Sequence, residues 1–168
     1  MRALLAAMAL IAGDQPPRAC LTAPEAQAVA LVALPEILRQ TGVACVSALA
    51  ADSPLRQPHG PFIARYDAAA DQAWPAAQAA LVKLSDPQAG ALLGSQFARG
   101  LLTTLVAPLI VGRIAPKDCG TVDRLVTALQ PLPPRNTADV VVTALRYIAA
   151  QKPTVGTRNP VAALPLCP

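Results

Sequence analysis

The feature that most constrains the fold of this chain is its set of four cysteines, Cys20, Cys45, Cys119 and Cys167. They are widely spaced and even in number, and none of them forms a CxxC pair. Metal-binding cysteines usually come in close pairs, whereas wide spacing is typical of long-range disulfides formed in an oxidising compartment. We therefore expect two disulfides, with free buried thiols as the alternative.

The N-terminus is consistent with that compartment. Met1 and Arg2 precede an apolar stretch at residues 3–12, and the small residues Ala12 and Gly13 follow. One positive charge before an apolar stretch of ~7–15 residues is typical of a secretory signal. We predict a signal peptide at residues 1–13, a single helical domain at residues 14–168, and a periplasmic or secreted location. A cytosolic protein with an apolar first helix is the alternative.

Composition limits the core and the partners. At 168 residues the chain suits one domain. Hydrophobic residues make up 54% of it but aromatic residues only 3%, so the core must be built from Ala, Leu, Val and Ile. The net charge is +4, with basic residues scattered along the chain, whereas a nucleic-acid binder shows a clustered basic stripe. A weak attraction to anionic lipids of the cell envelope stays open.

Apolar residues at helical spacing predict about five helices, and no strand is apparent. The first begins at the capping box Thr22–Glu25, is kinked or interrupted at Pro35, and ends at Gly42. The others are predicted from Pro61 to Leu84 with an interruption at Pro75, from about Pro87 to Gly112, from near Asp118 with Val122, Leu125, Val126 and Leu129, and from a cap at Asn136 or Thr137 with an apolar stripe of Val140, Val141, Ala144, Leu145 and Ile148.

The third predicted helix is the most apolar. Leu93, Phe97, Leu101, Leu105 and Leu109 form a row with a spacing of four residues, which suits the central helix of a bundle. Its uncharged stretch is shorter than the ~20 residues that a membrane span needs. We therefore predict an irregular, all-α, up-and-down bundle with this helix buried at its centre, and no transmembrane span in the mature chain.

An up-and-down arrangement also predicts which cysteines pair. Alternating helices bring Cys45 and Cys119 to one end of the bundle, and Cys20 and Cys167 to the other. A Cys20–Cys45 pair is disfavoured, because a helix of ~18 residues separates its ends by ~27 Å, although a sharp bend at Pro35 would allow it. The favoured disulfides are Cys45–Cys119 and Cys20–Cys167.

Candidate site residues are few. His59 is the only histidine and lies in a Pro/Gly turn. It is interpreted mainly as an exposed turn residue. Trp74 is followed by Pro75 on the second helix, where it lines a groove or, more commonly for a lone tryptophan, anchors the core. We take Trp74, His59 and the mobile-looking loop at 46–60 as a possible binding surface. No catalytic motif, metal-ligand spacing or cofactor motif is found, so no catalytic residue, metal or cofactor is assigned.

Asp67 and Asp71 lie four residues apart, which places them on one face of the second helix. Two adjacent carboxylates suit acid–base chemistry or cation binding. An exposed, charge-balanced face near Arg65 is the preferred interpretation. Asp118, Asp123 and Asp139 are explained by their places near helix starts, where carboxylates cap the helix and complement its dipole.

Three segments carry a resemblance to a known group of proteins. They are residues 20–26 (CLTAPEA), 131–137 (PLPPRNT) and 165–168 (PLCP). Together with the cysteines, they resemble an uncharacterised family of small, exported, Ala-rich bacterial proteins. That resemblance implies no activity and no site residue. Within it, 131–137 is interpreted as a connector and helix cap.

The resulting hypothesis is a non-catalytic, exported interaction or accessory protein of the cell envelope, whose partner is unknown, with another envelope protein as the candidate. Three alternatives stay open. They are a carrier of a small apolar ligand between helices, a hydrolase using Asp67 and Asp71, and a membrane-associated protein using the third helix.

Overall fold

The computed structural model of the protein describes residues 19–95, 97–150 and 165–167. Over these residues the fold is all-α, as predicted, and the predicted signal peptide lies outside them. The helices are α1 (Ala23–Ala44), α2 (Pro61–Leu84), α3 (Pro87–Leu93), α4 (Ala98–Val111), α5 (Cys119–Leu129) and α6 (Pro134–Ala150), with 3₁₀ turns at Pro54–Arg56 and Pro116–Asp118.

The central helix is α1, and the prediction that the third apolar segment would be central is wrong. Five successive residues, 31–35, are buried. Because successive residues of a helix point about 100° apart, a run of this length can be buried only if neighbours surround the helix. These neighbours are α2, α4 and α6, all of which pack against α1.

The predicted capping interaction at the start of α1 is present, but the predicted end is not. Glu25 accepts hydrogen bonds from the backbone N–H and the hydroxyl of Thr22, at 2.8 and 2.9 Å. The helix continues past Pro35 and ends at Ala44. Gly42 therefore lies inside the helix. Its missing side chain has a packing reason, since a Cβ there would overlap the carbonyl oxygen of Leu55.

Helix α2 has the predicted bounds and continues through Pro75. Its N-terminal half carries the largest side chains of the core. Phe62 and Tyr66 pack edge to face with their ring centroids 5.2 Å apart. The hydroxyl of Tyr66 donates to Oγ1 of Thr137 at 3.1 Å, which ties α2 to the first turn of α6.

The other predicted helices need three corrections, two of their bounds and one of a buried face. The single predicted helix from Pro87 to Gly112 is divided into α3, which ends at Leu93, and α4, which begins at Ala98. Helix α6 starts at Pro134, where a proline costs no intrahelical hydrogen bond. Its buried residues are Thr137, Ala138 and Val142, so it is rotated relative to the predicted stripe, and Val140 and Ile148 are exposed.

Both predicted disulfides are confirmed. Cys45 and Cys119 have Cα atoms 5.4 Å apart, and Cys20 and Cys167 have theirs 5.0 Å apart. The second pair is reinforced by two backbone bonds, from Leu21 N–H to the carbonyl of Pro165 at 2.6 Å and from Cys167 N–H to the carbonyl of Leu21 at 2.8 Å. The two ends of the described chain are thereby held together.

Candidate functional site

Trp74 is part of the packing between helices. It is half-buried against a small cluster that contains Ala28, Val32 and Ala77, and Leu102 of α4 packs on the same cluster. Of the two interpretations of Trp74, the geometry agrees with the core anchor. The side chain fills the junction of α1, α2 and α4.

His59 is exposed in the turn before α2, as expected for a turn residue. It stands 15 positions before Trp74, and most of the chain between them is helix α2. At 1.5 Å per residue this places the two residues roughly 20 Å apart along the helix axis. The structure therefore does not bring Trp74 and His59 together into one surface.

The loop at 46–60 is held by a dense set of hydrogen bonds, in contrast to its mobile-looking sequence. The guanidinium of Arg56 donates to the backbone carbonyls of Val46, Leu49 and Ala50 at 3.1, 2.9 and 2.9 Å. The loop is thus folded back on itself. These hydrogen bonds hold the backbone of the loop in one conformation.

The same loop is anchored to α5 by Asp123, whose role the sequence did not indicate. Asp123 is buried and accepts hydrogen bonds from the hydroxyl of Ser53 and the backbone N–H of Ala50. Its position near the start of a helix predicted a capping role. The sequence could not show this role, because the hydrogen-bond partner Ser53 lies 70 residues away from Asp123 along the chain.

A cleft of ≈ 600 Å³ lies beside this loop. Asp52 and Gln57 line it together with the N-terminus of α2. Arg65 also lines it, and its guanidinium lies 5.3 Å from the ring centroid of Phe62 and donates to the carbonyl of Gln130 at 2.7 Å. The cleft is lined by both polar and apolar groups. The guanidinium of Arg65 is already engaged by the ring of Phe62 and the carbonyl of Gln130.

Asp67 and Asp71 are each engaged by a different arginine. Asp67 accepts from Arg39 of α1, and Asp71 accepts from Arg99 of α4. The two carboxylates therefore connect α2 to two different neighbours. Neither of them lines the cleft beside the loop.

Among the described residues, Glu25 has the carboxyl group whose pKa is shifted most clearly. Nζ of Lys83 donates to its two carboxylate oxygens at 3.0 and 2.8 Å, in addition to the bonds from Thr22. The Lys83 hydrogen bonds, followed by the backbone N–H of Thr22, lower the pKa of Glu25 from its ordinary 4.5 to about 2. The pair joins the start of α1 to the end of α2, and this is a structural role.

The most unusual surface is an apolar ridge on α4. Phe97, Leu101, Leu105 and Leu109, which we call the α4 ridge, are exposed by 82, 40, 58 and 65%. The expectation that this row would be buried is wrong. The buried residues of α4 are Ala98 at its start and Ala107 and Val111 near its end, and Leu102 is half-buried where α4 packs against α1.

Apolar groups also line a cleft where α1 and α4 end. A second cleft of ≈ 390 Å³ is lined by Gln40, Val43 and Ala44 at the end of α1 and by Pro108, Val111 and Gly112 at the end of α4. Val43 itself is 76% exposed. Exposed apolar side chains scattered singly are normal, but a contiguous set is typical of a binding surface.

Two cations lie at the C-terminal end of the α4 ridge. Arg113 follows Leu109 by four residues, which continues the spacing of the ridge just past the end of the helix. Lys117 follows in the next 3₁₀ turn. Both are exposed, and within the described residues neither forms an ion pair. The exposed Asp118 is the nearest carboxylate in sequence.

Two further features of the described residues concern metals and membranes. No group of three or more His, Cys, Asp or Glu is placed to hold a metal ion. No helix within the same residues is long and apolar enough to cross a membrane by itself. Residues Ala98–Val111 and Pro116–Leu129 meet that test of length and composition only when taken together, with a bend of 90° between them.

Comparison with known proteins found no match to this chain. No family model, no curated protein and no solved structure matches this chain. The resemblance to exported Ala-rich proteins stays a prediction from its three segments.

Proposed function

We propose that this protein is a non-catalytic binding or accessory protein of the cell envelope, which acts through the α4 ridge. The observation that carries the proposal is that four large apolar side chains, Phe97, Leu101, Leu105 and Leu109, lie on the surface of the protein although α4 is packed against α1. Leaving such side chains in water is unfavourable, and covering them on a partner recovers that free energy.

The distribution of polar groups supports binding over catalysis. The two neighbouring carboxylates of α2 are engaged by Arg39 and Arg99, and Asp123 is engaged by the loop at 46–60. Ordinary active sites concentrate convergent polar groups with perturbed pKa values in a cleft. Here the perturbed group, Glu25, is one half of an ion pair between helix ends.

Export is the second part of the proposal and is supported by the two disulfides, which persist in oxidising compartments. It is tested by the intact mass of the protein from its native cells, with and without reduction. Loss of residues 1–13 and a gain of about 4 Da on reduction, two hydrogens for each disulfide, are expected. A full-length mass with four free thiols would contradict export.

The binding role is tested in cell-envelope extracts with a double variant of the ridge, Leu101→Gln with Leu105→Gln. The matched control is Val140→Gln with Tyr147→Gln, which removes two exposed apolar side chains from α6. The native protein and the control are expected to fractionate with a larger assembly or with membranes, and the ridge variant to be released as the free chain. If the native protein already fractionates as the free chain, the binding role is wrong.

A further inference from the structure

We propose that the α4 ridge docks on an anionic lipid surface, lying in the membrane interface without crossing the bilayer. This inference rests on the proposed function, because it names the partner of the same ridge. It draws on three observations, which are the shape of the ridge, its area, and the charge at its end.

The ridge has the shape of a surface anchor. Phe97, Leu101, Leu105 and Leu109 follow one another at a spacing of four residues, so they form one row of protruding side chains that runs obliquely along α4. Helices that bind in the membrane interface lie parallel to it and insert an apolar face between the lipid headgroups. Because α4 has 14 residues, it is too short to span a bilayer core, which needs ~20.

The area of the ridge is small for a second copy of the chain. Fully burying one Leu or Phe side chain is worth about 1.5–3 kcal/mol at about 25 cal/mol per Å², so four of them supply roughly 250–500 Å². A stable protein–protein interface buries about 800 Å² on each partner. A lipid surface has no such minimum, because it shapes itself around whatever apolar side chains enter it.

The charge at the end of the ridge selects an anionic surface. Arg113 and Lys117 are exposed and without an ion pair in the described chain, whereas Arg99, in the first turn of α4, is paired with Asp71. Long basic side chains at the edge of an apolar face reach lipid phosphates while their stems stay in contact with apolar groups. Each such cation adds to the attraction, and the whole chain has a net charge of +4.

The test is flotation of the full chain with vesicles of phosphatidylcholine and phosphatidylglycerol in equal parts, with pure phosphatidylcholine vesicles beside them. The protein is expected to float with the anionic vesicles and to bind the neutral ones at least tenfold more weakly. Two variants separate the contributions. Leu101→Gln with Leu105→Gln is expected to lose binding to both vesicle types, and Arg113→Gln with Lys117→Gln to reduce binding to the anionic vesicles about tenfold or more and to remove its sensitivity to salt.

Val140→Gln with Tyr147→Gln is the matched control and is expected to bind like the native chain. Far-UV circular dichroism of each variant shows whether it is folded, and Leu105→Ala is the milder replacement if the double ridge variant is not. Absence of native binding to anionic vesicles overturns the lipid inference.

A second result also overturns it but keeps the proposed function. This is a concentration-dependent dimer that the ridge variant abolishes, with no binding to vesicles, which would identify a second copy as the partner. If the ridge variant behaves like the native chain in both flotation and envelope fractionation, the proposed function fails as well.

Discussion

Helices α1 and α4 are both apolar and both contain an internal proline, yet they occupy opposite environments. Residues 31–35 of α1 are buried all around the helix, while α4 exposes Leu101, Leu105 and Leu109. The comparison teaches that apolar content alone does not decide burial. A helix at the edge of the fold is covered only where a neighbour contacts it, and its other large apolar residues are left outside.

The largest expected effect tests the anchoring of α1. Cys45 follows α1, Cys119 begins α5, and both are buried in the main core. Because the disulfide closes a loop with a sequence separation of 74, the variant Cys45→Ser with Cys119→Ser is expected to lower the free energy of unfolding by about 4 kcal/mol. Urea unfolding measures it. A loss of less than about 1 kcal/mol would contradict this anchoring role.

A matched pair of leucines tests the comparison directly. Leu38 of α1 is 8% exposed and Leu105 of α4 is 58% exposed. Leu38→Ala is expected to lower the free energy of unfolding by about 2–5 kcal/mol, since it leaves a cavity. Leu105→Ala is expected to change it by about 0.5 kcal/mol or less, as exposed positions do. Equal losses in urea unfolding would mean that the ridge is packed as tightly as α1.

A matched pair of glycines sharpens the same contrast. A Cβ on Gly42 of α1 would meet the backbone of Leu55, whereas a Cβ on Gly100 of α4 would meet nothing within 4 Å. Gly42→Ala is therefore expected to destabilise the protein by about 1–3 kcal/mol. Gly100→Ala is expected to stabilise it by about 0.5–1 kcal/mol, because alanine favours the helix. Thermal unfolding of the two variants checks both signs.

The smallest expected effect is a pH dependence located at the start of α1. The pKa of Glu25 is lowered from 4.5 to about 2 in the folded chain, so its contribution is present above pH 4.5 and is lost as the pH falls toward 2. Lys83→Met removes the main cause and is expected to flatten this part of the stability curve. The control Lys117→Met, beyond the end of α4, is expected to leave the slope of the midpoint against pH unchanged. Identical slopes for Lys83→Met and the native chain would contradict the assignment.

The disulfide pairing could be predicted although the wrong helix was placed at the centre. Pairing depends on which end of the bundle each cysteine occupies, and that follows from alternating helix directions. The bounds of α2 were also accessible, because Gly60-Pro61 and Ser85-Asp86-Pro87 are strong local signals at its two ends. Such features depend on the order of elements and on residues close in sequence.

The environment of each helix could not be predicted in the same way. Apolar residues placed every four positions in α4 indicate an apolar face, but they do not show whether another helix covers that face. The anchoring of Ser53 by Asp123 likewise depends on a contact across 70 residues. The candidate binding surface was hardest to predict, because Trp74 packs between helices and the exposed α4 ridge was assigned to the core.

The Cys20–Cys167 disulfide has a consequence for proteolysis. It joins positions 147 residues apart, so the chain between them is a covalently closed loop. A single cut anywhere between Cys20 and Cys167 leaves two pieces that are still linked by sulfur. A protein nicked once by a protease would keep its mass, apart from one added water, and would separate into fragments only after a reductant is added.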